Sequence, residues 1–195
     1  LGDVYKRQVK TITDDNGRTR QETFDTQNRL VNLIDSGGNE LSYDYNPVGD
    51  LEKIYLNDTL YLDIEYDQLS RKTSMSDINL GTWTYEYNSN NHLEKQTDNM
   101  GNYVTYDYDS LGRIETKSIY KHDDTLEKTE VYTYDAGDGA HNVVAGELFK
   151  VEEYENGTML VRTTYFGYDS NYRRIEKITR SFVCLLYTSD AADES

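Results

Sequence analysis

Three histidines, one cysteine and 36 acidic side chains are the groups in this 195-residue chain best suited to chemistry. His92, His122 and His141 are scattered, and no metal-ligand spacing links them. They read as histidines of solvent-facing turns and loops. The carboxylates are abundant, so some pair must come close. Glycoside hydrolysis needs two at a defined separation in a cleft, and the sequence singles out no such pair. A solvated acidic face is the reading. Asp14-Asp15-Asn16-Gly17 and Asp98-Asn99-Met100-Gly101 could hold calcium through carboxylates and carbonyls. Neither fits an EF-hand loop or a glycine-rich calcium-binding nonapeptide, so both read as turns. Asn57-Asp58-Thr59 and Asn156-Gly157-Thr158 are glycosylation sequons in form only. No nucleophile elbow and no phosphate-binding Gly-Lys loop occurs. The expectation is a protein that is not an enzyme, with no catalytic residues, no metal and no cofactor.

The two ends read as foreign to the rest. Asp3-Val4-Tyr5-Lys6-Arg7-Gln8 can be encoded by GAT GTG TAT AAG AGA CAG. The reverse complement, read one base along, encodes Cys184-Leu185-Leu186-Tyr187-Thr188-Ser189. One DNA element in two orientations therefore accounts for both. It looks like the transposase end of a sequencing adapter, and Asp190 to Glu194 fits its continuation. Such scars are set aside in fold reasoning. The expected organisation is 1–8 adapter-derived, 9–183 a repeat array and 184–195 adapter-derived. On that reading the only cysteine, Cys184, leaves with the scar, and no disulfide or thiol chemistry is available. The remaining segment carries 18 Lys and Arg against 32 Asp and Glu, a charge of −14.

That charge opposes binding to nucleic-acid backbones, which want Lys and Arg, and to anionic membrane surfaces. No apolar run approaches the roughly 20 residues that span a bilayer. Leu, Ile, Val and Phe are scarce for a globular chain, but 19 tyrosines stand at fixed positions, and acidic disordered tails are poor in aromatics.

The positions form a ruler. Phe24, Tyr45, Tyr66, Tyr87 and Tyr108 recur every 21 residues, each followed by Asp or Asn: Asp25, Asn46, Asp67, Asn88 and Asp109. Tyr134-Asp135 and Tyr168-Asp169 follow after longer steps. A fixed period of this length marks a repeat architecture. Within a period the pattern alternates as a strand does: Val104, Tyr106 and Tyr108 one way, Tyr103, Thr105 and Asp107 the other. Leu41, Tyr43 and Tyr45 share a face, as do Leu62, Ile64 and Tyr66, and Trp83, Tyr85 and Tyr87. After each aromatic comes a turn. Its Asp or Asn can bond its own backbone, and its fourth position holds Asn28, Gly49, Ser70, Asn91 or Gly112. Most of these tolerate a left-handed backbone; Tyr172, at the same position in the last copy, fits poorly. The predicted unit is a β-hairpin with a tyrosine-rich face. The predicted fold is all-β: tandem antiparallel hairpins of about 21 residues in a curved or spiralling sheet. Hairpins gain stability by stacking edge to edge. Asp135 to Gly146 is expected to be a longer loop.

Tyr106-Asp107-Tyr108-Asp109-Ser110-Leu111-Gly112-Arg113-Ile114, preceded by Asp98 and Gly101, resembles the YD repeat of the Rhs family. So do Tyr43-Asp44-Tyr45-Asn46 through Leu51 and Tyr168-Asp169 through Ile175. The arginine after the turn stands at Arg29, Arg71, Arg113 and Arg173, but Asp50 and His92 replace it elsewhere, which leaves no specific role for it on sequence grounds. The resemblance implies a section of a hollow β-shell in a large secreted or surface protein of bacteria, enclosing or displaying a C-terminal effector or toxin of the same polypeptide. That implies other repeats and the effector as partners, with no nucleic acid and no membrane span. Asp-Pro, part of the motif linked to self-cleavage in the family, is absent. The alternative is a surface module whose tyrosines bind a glycan or a protein.

Overall fold

A computed structural model of the chain describes residues 8–135, 145–168 and 175–182. It contains fifteen strands: β1 (Gln8–Thr13), β2 (Thr19–Phe24), β3 (Leu30–Ile34), β4 (Glu40–Tyr45), β5 (Leu51–Leu56), β6 (Thr59–Tyr66), β7 (Lys72–Asp77), β8 (Gly81–Tyr87), β9 (Leu93–Thr97), β10 (Tyr103–Tyr108), β11 (Ile114–Tyr120), β12 (Leu126–Tyr134), β13 (Leu148–Glu155), β14 (Thr158–Tyr168) and β15 (Ile175–Phe182). No helix occurs among the described residues. The expected all-β, antiparallel hairpin fold is the one observed. Apart from Gln8, which begins β1, the ends read as adapter sequence lie outside the described residues.

The chain divides into two compact units. One comprises the residues up to Glu86 with Thr97–Asn99, the other Tyr87–Gln96 with the residues from Met100 onward. In the first, β1 to β8 pair antiparallel, each with the next. In the second, β10 to β15 do the same.

Register explains the two faces. In the first unit Leu33 pairs with Leu41, Tyr43 with Ile54, Ile54 with Leu62, Ile64 with Met75 and Met75 with Trp83. Directly paired residues share a face, so an uncharged stripe crosses the strands. On the reverse face Asp44 pairs with Lys53, Lys53 with Asp63 and Asp63 with Ser76, whose hydroxyl lies 3.1 Å from that of Thr82. β8 shows the alternation most clearly: Trp83 and Tyr85 are half-buried, Thr82, Thr84 and Glu86 exposed.

Within each unit, strands contact only their neighbours in sequence. Among the described residues, neither unit holds a second layer over its own strands. Ile64, 8% exposed, is the one buried apolar side chain among the described residues, and none of them is fully buried. The tyrosines from Tyr43 to Tyr165 among the described residues are half-buried. The tyrosines lie against the sheet rather than inside a core.

A β-bulge accompanies the periodic aromatic in five of the described hairpins, while β14 and β15 pair at Tyr168 without one. Thr23 pairs with Asn32 but Phe24 with Leu30; Asp44 with Lys53 but Tyr45 with Leu51; Glu65 with Ser74 but Tyr66 with Lys72; Asp107 with Thr116 but Tyr108 with Ile114; Thr133 with Lys150 but Tyr134 with Leu148. The extra residue bends the strand and removes one ladder partner at that point.

Candidate functional site

The recurring constellation sits at the turns that follow the periodic aromatics. Each is a five-residue loop: Asp25–Arg29, Asn46–Asp50, Asp67–Arg71, Asn88–His92 and Asp109–Arg113. In each, the first residue's N–H donates to the fifth residue's carbonyl, and the fourth residue's N–H donates to the first residue's carbonyl, at 2.9 to 3.1 Å. The fourth residue must then adopt positive φ, and Asn28, Gly49, Ser70, Asn91 and Gly112 all do, as their types suggest. Tyr172, the misfit, lies outside the described residues, as do Asp169, Arg173 and His141.

The first side chain closes the loop. Oδ1 of Asp25 accepts the N–H groups of Gln27 and Arg29; Asp67 holds Leu69 and Arg71, and Asp109 holds Leu111 and Arg113. Asn46 does the same for Val48 and Asp50, and Asn88 for Asn90 and His92. Asp14 plays this part in the Asp14–Arg18 turn, and Asp35 in Asp35–Asn39.

The arginine does have a role, contrary to the sequence-based expectation. Its guanidinium takes the carboxylate oxygen left over: Arg29 to Asp25 at 2.7 Å, Arg71 to Asp67 at 2.6 Å, Arg113 to Asp109 at 2.7 Å. It also covers the aromatic of the following hairpin, with Arg29 4.6 Å from the Tyr45 ring centroid and Arg113 4.3 Å from that of Tyr134. His92 takes the same position, its ring centroid 4.6 Å from that of Tyr108 and tilted 39° to it. Where Asp50 stands, the polarity is reversed, and Asn46 donates to it at 3.1 Å. Variation at this position kept the contact geometry and changed the chemistry, so residue identity alone hid the role.

The tyrosine hydroxyls make the link between hairpins. Tyr45 donates to the carbonyl of Leu30, Tyr66 to Leu51 and Tyr108 to Leu93, each spanning 15 residues; Tyr134 donates to Ile114. The acceptors are first residues of return strands, beside the bulge. Their recurrence at 30, 51, 93 and 114 was a signal available in the sequence.

The stretched copy keeps the closing bond but departs from the rest of the plan: the Asp135 N–H donates to the Glu147 carbonyl, while Asp135 itself has positive φ and its Oδ1 accepts the Gly146 N–H. Asp135 also accepts from Arg113 at 2.6 Å.

These groups are poorly suited to acid–base work. The Arg29 N–H holds the Asp25 carboxyl below the usual range, the Arg71 side chain that of Asp67, and the Arg113 N–H that of Asp109. Burial raises the hydroxyls of Tyr45, Tyr66, Tyr108 and Tyr134. A second network lies in the second unit. Glu130 accepts from Tyr132 at 2.8 Å, Lys128 at 3.0 Å and Lys117 at 3.2 Å. Burial works to raise Glu130, but these donors outweigh it and hold the carboxyl low. Glu152 is held the same way by Lys150 and Arg162. An open concavity of about 390 Å³ is lined by Asn88, His92, Tyr106 and the Asp109–Gly112 turn. His92 Nδ1 is buried there without a hydrogen-bond partner. No group of three or more His, Cys, Asp or Glu among the described residues could hold a metal ion. No helix is long and apolar enough to cross a membrane, which says nothing of β-barrels.

Residues 87–125 match the family model described as RHS Repeat. No curated protein matches the chain. Among solved structures the chain is similar to one described as TcdB2-TccC3-Cdc42, at 16% identity, TM-score 0.51, over 83% of this chain and 10% of that one. It is also similar to TcdB2-TccC3 without its hypervariable C-terminal region, at 17% identity and TM-score 0.51, with the same coverage. The likeness is one of fold, and the chain spans about a tenth of the length of these structures' chains.

Proposed function

We propose that this chain, whose residues 87–125 match the RHS Repeat model, works as a non-catalytic structural wall of Rhs type: a run of hairpins, read as residues 9–183, contributing to a β-shell that encloses or displays a C-terminal effector of the same polypeptide. The observation that carries this is the commitment of the repeating side chains to their own turns and to neighbouring hairpins. Tyr45, Tyr66, Tyr108 and Tyr134 are tied to the preceding hairpin's backbone, and the turn carboxylates of Asp25, Asp67 and Asp109 have both oxygens occupied. Groups so engaged build a surface and leave little for a substrate. The similar structure solved without its hypervariable C-terminal region supports a variable cargo beyond the repeats. Secretion or surface display in a bacterium follows from the same family reading.

The test is protease protection of the longer polypeptide encoded by the flanking reading frame. A wall predicts that the segment downstream of the repeats resists digestion until the repeats are opened. Immediate digestion of that segment sinks the reading. The alternative, a glycan- or protein-binding module, asks for tyrosines exposed as one patch. The described tyrosines from Tyr43 to Tyr165 are half-buried, which favours the wall. Glycan binding lost on Tyr43→Ala or Tyr85→Ala would reverse the order of the two.

A further inference from the structure

The five evenly spaced turns after the periodic aromatics fall into two classes that alternate: closed by Asp25, Asn46, Asp67, Asn88 and Asp109, with Arg29, Asp50, Arg71, His92 and Arg113 at the fifth position; Asp135, after the longer step, does not continue the alternation. The backbone geometry is the same in both classes. What differs is the acceptor. In the aspartate class, an ionised carboxylate holds two backbone N–H groups through one oxygen and an arginine through the other. In the asparagine class, a neutral amide oxygen holds the same backbone groups.

We propose that over these five turns the structural period is two hairpins, about 42 residues, and that strong acid opens this stretch by alternate turns: those closed by Asp25, Asp67 and Asp109 let go while those closed by Asn46 and Asn88 hold. A carboxyl that takes up a proton loses its charge, its hold on the guanidinium and much of its strength as an acceptor. An amide oxygen does not titrate.

The neighbours of each group agree with this. Asp25 faces Arg29 of its own turn and the Tyr45 hydroxyl of β4. Asp67 faces Arg71. Asp109 faces Arg113, with Asp135 and Tyr134 beyond it. Asn46 faces Asp50, which would lose only its bond from Asn46 Nδ2; His92 faces Tyr108. The aspartates are held low in the folded state, so their contribution is complete above the free carboxyl value of about 3.9. It is lost as pH falls through the lower folded value.

Hydrogen exchange read by mass spectrometry on the full chain tests this, comparing protection near neutrality with that at about pH 3 after correction for intrinsic rates. Segments 25–29, 67–71 and 109–113 are expected to lose protection by up to about tenfold, since pH 3 lies about one unit below the free carboxyl value, while 46–50, closed by an amide, changes little. Equal loss in both classes, or no loss in the aspartate class, overturns the proposal. The triple variant Asp25→Asn, Asp67→Asn, Asp109→Asn copies caps the chain already uses. Its acid transition, followed by circular dichroism, should move to lower pH. An unmoved transition overturns the proposal as well.

Discussion

A single side chain in this protein reports on the hairpin beside it. Gly112 shows why. Its φ is +78°, and a Cβ there would stand 2.8 Å from His92 Cε1, so the position is doubly closed to a side chain. Gly112→Ala is expected to destabilise by more than the roughly 1 kcal/mol of an ordinary positive-φ substitution, and His92→Ala in the same chain should return part of the loss. Denaturant titration of the single and double variants decides it; additive losses would mean the two residues do not meet. Tyr66→Phe removes one hydroxyl and strands the Leu51 carbonyl it serves. The expected cost is about 0.5–1.5 kcal/mol, and no measurable change would mean that the carbonyl finds water without penalty. Phe24, which lacks the hydroxyl yet occupies the same register position opposite Leu30, shows that ring and bulge alone can seat the aromatic.

Elements extend the same logic. A two-stranded hairpin is marginal in water, so each depends on what its turn lends to the next. Arg29 and Arg113 lend a cation to the following ring; the Asn46–Asp50 turn presents a carboxylate near Tyr66 instead. Asn46→Asp combined with Asp50→Arg should rebuild the ion pair and place a guanidinium on Tyr66. The ring contact is worth about 0.5–1 kcal/mol at an exposed site, and the exposed ion pair adds little. A rise in thermal midpoint is expected, and a fall would show that the alternation is needed for packing. The longer step after Tyr134 still closes because Glu147 meets Asp135 as the fifth turn residue would, with Gly146 donating to the Asp135 carboxylate. An insertion costs little when the residues that close the loop are kept.

For the molecule as a whole, the absence of a second layer within either unit, among the described residues, governs behaviour. In the first unit Leu56, Leu60, Ile78 and Leu80 stand exposed at the β5–β6 and β7–β8 turns, at the opposite ends of the strands from the turns after the aromatics. Exposed apolar clusters mark surfaces that associate. The isolated chain is expected to self-associate in sedimentation velocity, and a sharp monomer with cooperative unfolding would count against an incomplete wall. Alkali offers a second global test. Burial raises Tyr45, Tyr66, Tyr108 and Tyr134, and burial with the Glu130 contact raises Tyr132. Unfolded phenols ionise near 10. The stability these groups confer is therefore full below that value and lost as pH rises through their higher folded values. Phenolate absorbance should show a late-titrating fraction that vanishes in denaturant; one transition at the free value would contradict the packing.

The sequence by itself determined the local structure. The 21-residue spacing, the two-residue alternation and the Asp, Asn and Gly of the turns state the hairpin, its faces and its left-handed residues, because each is decided by steric and hydrogen-bonding preferences within a few positions. It also showed which side chains repeat. What it left dark was why they repeat. The Tyr66 hydroxyl and the Leu51 carbonyl are far apart in sequence, and nothing in either residue names the other. The role of Arg29 was obscured because Asp50 and His92 stand at its position in other copies. Only the tertiary structure, by setting one hairpin beside the next in register and freeing a carbonyl at each bulge, decided that the tyrosine is a tie and the arginine a cover. Only it showed, in each unit, strands whose aromatics are half-buried against their own backbone, with no second layer above them among the described residues.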